Sequence, residues 1–240
     1  MKFFFLRHAQ SVNNALYTST GSDTARSEDP ELTETGYRQA KALAEFLRTG
    51  NPDGGNRCDG TQDKGFGITH LYSSLMLRSV ATGSIIASEL GVQLKAWTEI
   101  HEQGGIYLED EKSGELTGMS GKDRAFFQTH YPDFILPEDF IETGWWDRRT
   151  REQPEESRLR AKLFLAGLLE RHAGSRHHVA VVSHGGFYVD FLINLLNLQQ
   201  PEGIWFRMNN AAITRIDFLE EKVDLIYQNR MDFLPAELVT

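Results

Sequence analysis

Residues 2–11 read Lys2-Phe3-Phe4-Phe5-Leu6-Arg7-His8-Ala9-Gln10-Ser11, an aromatic and aliphatic run that stops on a cation and an imidazole. The run is too short for a signal-peptide core or a membrane span, and its residue types predict a strand over Lys2–Leu6. Similar runs rich in Val, Ile and aromatic residues predict further strands at Ile68–Ser73, Val92–Trp97, Val179–Ser183, Ala211–Phe218 and Lys222–Gln228. Helical patterns lie between them. Thr33–Arg48 carries Tyr37, Ala40, Leu43 and Leu47 at helical spacing before Gly50, and Leu75–Leu90 ends at Gly91. Pro154 opens a helix reaching about Ala173, with Leu159, Leu163 and Ala166 on one face, and Phe187–Leu196 is apolar nearly all round, as a buried helix is. Alternating strands and helices predict an α/β fold, a three-layer sandwich with a mainly parallel sheet. The last two runs, joined by a short turn, predict an antiparallel edge.

A chain of 240 residues with 40% hydrophobic composition can bury one large core. Residues 1–240 are therefore expected to form a single domain, with an insertion at about 104–153. That insertion holds Phe126, Phe127, Tyr131, Phe134, Phe140, Trp145 and Trp146, too much apolar surface for a linker. It is expected to be ordered, as core or as the contact of a homodimer, and placed to act as a lid. Gly50–Gly67 reads as a flexible loop containing the single cysteine, Cys58, which excludes a disulfide framework and a cysteine-rich zinc site and fits a reducing cytoplasm. The net charge of −9 argues against nucleic acid and anionic membrane as partners. It leaves room for a small anion held in a local pocket of arginines and backbone amides.

Ligands of open α/β sheets bind past the carboxyl ends of the strands. Past the first predicted strand stand Arg7 and His8; past the second, Ser73 and Ser74, with Arg78 following; past the third, His101 and Glu102; past the fourth, His184 and Gly185-Gly186. Each type has a task on a phosphomonoester. Arginine binds phosphate oxygens through its planar fork, and a neutral imidazole is a nucleophile near pH 7. A second imidazole, protonated, can stabilise the transferring group, and a carboxylic acid can protonate the leaving oxygen. The two glycines allow close backbone approach to an anion at a helix start.

These residues lie in short motifs that together resemble the histidine phosphatase superfamily, which includes the cofactor-dependent phosphoglycerate mutases. Residues 7–11 are similar to its Arg-His-Gly signature, with Asn14 following. Leu32-Thr33-Glu34-Thr35-Gly36 with Gln39-Ala40, Ser73 to Arg78, Glu102 before Gly104-Gly105, Ser183-His184-Gly185-Gly186 and Asn209-Asn210-Ala211 match further motifs in order. The resemblance implies a phosphoglycerate mutase-like fold, a phosphohistidine on His8, and phosphate contacts from Arg7, Asn14, Arg78, His184 and Gly185. It also implies Glu102 as proton donor, with no metal and no cofactor. Ala9, Gln10 and Leu75 depart from the family's usual glycine, glutamate and proline.

Other readings are weaker. Glu99 and Glu109 compete with Glu102 for the acid. His177-His178 invites a metal, but no carboxylate or cysteine nearby completes a set, so the pair is expected to be exposed. Ser183 lacks a Gly-x-Ser-x-Gly frame. Asp147-Arg148-Arg149-Thr150-Arg151 reads as a solvated charge run, with binding of a second anionic group of the substrate as the alternative, and Arg148, Arg149 and Trp146 are expected to set specificity if the insertion is a lid. Three functions remain: a phosphatase of small phosphorylated molecules, a phosphoglycerate mutase, and a phosphate-binding regulatory protein. The run Glu109-Asp110-Glu111, where mutases are more basic, and the lack of their tryptophan before Asn14 favour hydrolysis.

Overall fold

In a computed structural model of the chain, the described residues are 1–22, 25–53, 65–110, 112–199 and 203–240. Cys58, most of the Gly50–Gly67 loop and Glu111 lie outside them. The strands are β1 (Lys2–Arg7), β2 (His70–Ser73), β3 (Leu94–Ala96), β4 (Tyr107–Glu109), β5 (Leu116–Gly118), β6 (His178–Ser183), β7 (Ile213–Phe218) and β8 (Val223–Arg230). Six of them form one sheet in the order β3-β2-β6-β1-β7-β8. The first four in that order run parallel, with Phe5 opposite Val181 across β1 and β6. β7 lies antiparallel to β1, and β8 turns back on it as the edge.

The opening run explains the layering. Side chains alternate across a strand, so Phe3 and Phe5 enter one core while Phe4 and Leu6 enter the other, all fully buried. α5 (Pro154–His172) and α6 (Gly185–Leu195) cover the first face through Phe164, Leu168, Phe187 and Phe191. α2 (Glu34–Thr49) and α3 (Leu77–Leu90) cover the second through Leu43, Leu47, Val80 and Ile86. Each buried phenylalanine contributes about 1.5–3 kcal/mol, so this strand alone anchors both layers.

The expected face of α5 is corrected. Leu159 and Leu163 are each 58% exposed, and the buried face is Ala161, Phe164 and Leu168 with Arg160. Arg160 is admitted because its guanidinium binds both carboxylate oxygens of Glu152 and the carbonyls of Glu99 and His101. Within the insertion, β4 and β5 pair as a hairpin and α4 (Arg124–His130) follows. Phe127, Phe134, Phe140, Trp145 and Trp146 are buried in the same core as Phe4 and Leu6. α1 (Val12–Thr20) was not anticipated: none of its residues is buried, so it has no apolar stripe, and a capping box between Ser11 and Asn14 starts it. Among the described residues no helix is long and apolar enough to cross a membrane.

Candidate active site

The carboxyl edge of the sheet carries an open cleft of about 670 Å³, lined by Arg7, His8, Asn14, Arg78 and Glu102 with Arg26 and Arg207. His8 leaves β1 with its amide bonded to the Ser183 carbonyl at the end of β6, and its carbonyl accepts from Asn210. The imidazole Nδ1 lies 2.7 Å from the Ala9 carbonyl. A carbonyl only accepts, so Nδ1 carries the hydrogen and Nε2 carries the lone pair. Arg78 Nε donates toward that lone pair at 3.2 Å. Burial, then Arg78 and Arg7, push the His8 pKa well below the ordinary histidine value, so the ring is neutral at pH 7.

The His184 ring stands 5.1 Å from that of His8, centre to centre. Its Nε2 meets the hydroxyls of Ser74 at 2.7 Å and Ser79 at 3.2 Å. Among the described residues its buried Nδ1 has no hydrogen-bond partner, and neither has Arg7 Nε. Burial and the neighbouring Arg78 and His8 lower the His184 pKa as well. The protonated second imidazole expected from sequence is thus disfavoured before an anion enters. A neutral ring serves equally as a donor: with the serine hydroxyls donating to Nε2, Nδ1 bears the hydrogen.

Arg78 projects from the first turn of α3 and is held by Asp29, whose Oδ1 lies 3.9 Å from Nη1 and also accepts from the Leu77 amide. Asp29 is fully buried, and its pKa is raised to about 6 by desolvation against the opposing pull of Arg78. Arg7 donates to the Met208 carbonyl at 2.5 Å and passes over Gly185, where an added Cβ would lie 3.4 Å from Nε.

Glu102 lies on the opposite wall. Gly104 and Gly105 have φ of +81° and +75° and turn the chain there. Oε1 accepts from the Gln103 and Phe187 amides at 2.9 Å each, while Oε2 has one longer contact, 3.3 Å from the Gly186 amide. The carboxylate therefore sits on the N-terminus of α6, leaving Oε2 as the less committed oxygen. Gly186 makes room: a Cβ there would lie 2.6 Å from Oε1.

The predicted site residues His8, Arg7, Arg78, His184, Glu102, Asn14 and Gly185 all reach this edge. Asn14 has its carbonyl oxygen engaged by Ser11 and Asn210, leaving only the amide nitrogen for a ligand. Ala9 creates no strain, since its backbone lies outside the left-handed region and its methyl packs with Leu32, Ala40 and Ala81. Glu99 and Glu109 are exposed and line no part of the cleft. His101 turns away, buried against Trp145 and Trp146. The Ser183 hydroxyl donates to the Ile100 carbonyl.

The 147–151 run is exposed, as a solvated charge run is; within it Arg149 stacks on Trp146 at 4.0 Å and Arg148 donates to Ser120, while Arg151 reaches the pocket wall. The acids Glu109 and Asp110 are exposed on the β4–β5 hairpin, where Asp110 caps the turn, and neither lines the cleft. The His177-His178 pair, expected to be exposed, is half-buried, because His178 bonds the Phe66 carbonyl and His177 packs on His70 and His172. Sequence reasoning also missed Asp29, Ser79, Arg26 and Arg207. A carboxylate placed before Pro30 and arginines in loops carry no periodic signal.

The histidine phosphatase superfamily (branch 1) model matches residues 3–55 and 60–230. Two relatives are each 26% identical. One is a Hydrogenobacter thermophilus protein named "Putative phosphoserine phosphatase 2", aligned over 96% of both chains. The other is "Probable phosphoglycerate mutase GpmB" of Yersinia pestis, over 92% of this chain and 86% of that one. Among solved structures, phosphoserine phosphatase of Entamoeba histolytica in complex with phosphoserine superposes with a TM-score of 0.59 at 18% identity, covering 98% and 99% of the two chains. A mycobacterial glucosyl-3-phosphoglycerate phosphatase superposes with a TM-score of 0.53 at 20% identity, covering 90% and 89%. The chain belongs to the histidine phosphatase superfamily, and its fold is phosphoglycerate mutase-like.

Proposed function

We propose that this histidine phosphatase superfamily member hydrolyses small phosphomonoesters through a phosphohistidine on His8. The observation that carries the reading is the fixed tautomer of His8. With Nδ1–H spent on the Ala9 carbonyl, the Nε2 lone pair is presented to the cleft between Arg7, Arg78 and His184. Nε2 attacks phosphorus as the bond to the ester oxygen breaks, and the leaving oxygen takes a proton from Glu102. Water then gives that proton back to Glu102 and attacks the phosphohistidine, releasing inorganic phosphate and restoring the neutral ring. The two arginines and His184 Nδ1 hold the three equatorial oxygens. All the required positive charge comes from side chains, so the reaction as proposed uses no metal.

Arg26, Arg151 and Arg207 stand around the same opening and belong to no step of the chemistry. They suit a substrate with a second anionic group, a carboxylate or another phosphate. The relatives named as a phosphoserine phosphatase and as a phosphoglycerate mutase support both outcomes. The mutase reading is therefore kept as the second, and these arginines favour it. The test is to supply phosphoserine, and separately 3-phosphoglycerate with catalytic 2,3-bisphosphoglycerate, and to follow free phosphate, 2-phosphoglycerate and acid-labile phosphate on His8. Phosphate release faster than isomer formation is expected. Isomer outrunning phosphate establishes the mutase, and no phosphoenzyme with any ester refutes both.

A further inference from the structure

The opposite edge of the sheet holds a second cluster of imidazoles that the reaction does not use. His70 opens β2, His172 ends α5, and His177 stands one residue before β6. One ring nitrogen from each lies within 4.8 Å of the others. His172 Nδ1 and His177 Nδ1 are 3.0 Å apart, and the His70 ring centre is 4.3 Å from that of His177 and 4.8 Å from that of His172. Two nitrogens on one tetrahedral zinc at about 2.0–2.1 Å are separated by about 3.3 Å, so small ring movements convert the cluster into a coordination set.

The outer partners of two of the three rings suit the tautomers such a set needs, while His177, which shares a hydrogen with His172 in the cluster as it stands, must turn its lone pair to the ion. With the Thr69 hydroxyl donating to the His178 carbonyl at 3.1 Å, its 2.9 Å contact with His70 is made with His70 Nδ1 as the donor. His70 Nε2 is then the lone-pair nitrogen. The Tyr72 hydroxyl lies 3.2 Å from His172 Nε2 and can accept its hydrogen, which leaves His172 Nδ1 bare toward His177. Imidazoles held through their second nitrogen in this way are the usual setting of metal-bound histidines.

We propose that His70, His172 and His177 form a binding site for a divalent transition-metal ion of the zinc type. Three neutral nitrogens, with no carboxylate joining them among the described residues, suit zinc rather than calcium or magnesium, and water completes a tetrahedron. Lys95 and Arg171 act on the cluster and oppose a bound cation, so the affinity expected is on the order of 1 µM. The ion would tie the end of α5 and the loop before β6 to the start of β2. The strands separate this site from the cleft, so it does not depend on the phosphatase reading.

The experiment uses the full chain freed of metal by chelation, titrated with zinc against a chromophoric competitor and with cobalt by visible absorption. One equivalent of zinc, the intense d–d bands of four-coordinate cobalt and a zinc-dependent rise in Tm are expected. His70→Gln and His177→Gln, both at partly exposed positions, should each weaken zinc at least tenfold and abolish the Tm rise. His130→Gln should change nothing, and nitrophenyl phosphate turnover should be the same with and without zinc. Circular dichroism verifies that the variants are folded. Less than one equivalent bound at about 100 µM free zinc, or wild-type affinity in both variants, overturns the site.

Discussion

Replacing Gly186 by alanine tests the place of the proton donor without touching a reacting group. An added Cβ would lie 2.6 Å from Glu102 Oε1 and 2.7 Å from Gln103 Oε1, whereas ordinary contact begins at 3.4 Å. Both side chains must recede by about 0.8 Å, and the carboxylate cannot do so while keeping its bonds to the Gln103, Gly186 and Phe187 amides. A misplacement near 1 Å costs about 10²-fold, the lower end of what proton donation supplies. Turnover of alkyl phosphates should therefore fall about 10²-fold, and that of nitrophenyl phosphate, whose leaving group needs little protonation, less than about fivefold. Unfolding will not account for the loss, since alanine near a helix start is no worse than glycine. The double variant Gly186→Ala with Glu102→Gln should be no slower than Glu102→Gln alone, because both remove one contribution. Equal losses on the two substrate classes, or none on either, would refute the assignment of Glu102.

His8→Ala should reduce turnover below about a tenth of wild type with the fold retained, and phosphate labelling of the chain should vanish with it. Asp29 links pH to both activity and stability. With its pKa raised from 3.8 to about 6, the folded chain binds the proton more tightly, so its contribution to stability is full below 3.8 and lost as pH rises through about 6. Across that window wild type should lose about 3 kcal/mol of stability in urea titrations while kcat/KM rises with the Arg78 ion pair, and Asp29→Asn should flatten both; a wild-type slope kept in the variant contradicts this. Arg26→Gln, Arg151→Gln and Arg207→Gln should raise KM for phosphoserine more than for nitrophenyl phosphate, and equal effects would remove these arginines from substrate selection. EDTA should leave turnover unchanged while vanadate inhibits; activity lost to EDTA and restored by zinc or magnesium would assign the reaction a metal.

The proposed reacting groups were legible because they lie past the ends of predicted strands, and strands announce themselves as apolar runs. Arg7-His8 and Ser183-His184 needed only the rule that ligands gather at carboxyl ends, and Glu102 was singled out by the glycines after it. The groups that hold them were not legible. Asp29 braces Arg78 from 49 positions earlier in the chain, with Leu77 as the shared contact. Ser79 supports His184 from a helix whose apolar pattern hides a functional hydroxyl. The misread face of α5 has the same origin: Arg160 is buried only because Glu152 and two carbonyls wait for it, and a hydropathy pattern counts it as surface. The three histidines come from β2, α5 and the residue before β6, so inspecting the neighbours of His177 in sequence found no partner for it.

The pairing of β1 with β6 sets a condition on how the chain comes into being. Phe3–Leu6 are made long before both neighbours, since the strand that lies beside them on one side ends at Ser183 and the one on the other begins at Ile213. At ordinary elongation rates this apolar segment waits roughly 10–30 s for its neighbours. During that time it is an unpaired, flat, aromatic edge, the form of backbone most prone to join another chain. Recovery from denaturant should show the same delay: helix signal should return well before turnover, because His8 acquires its Ser183 and Asn210 supports only when this long-range pairing closes. Catalysis in this molecule is thus a late reporter of folding.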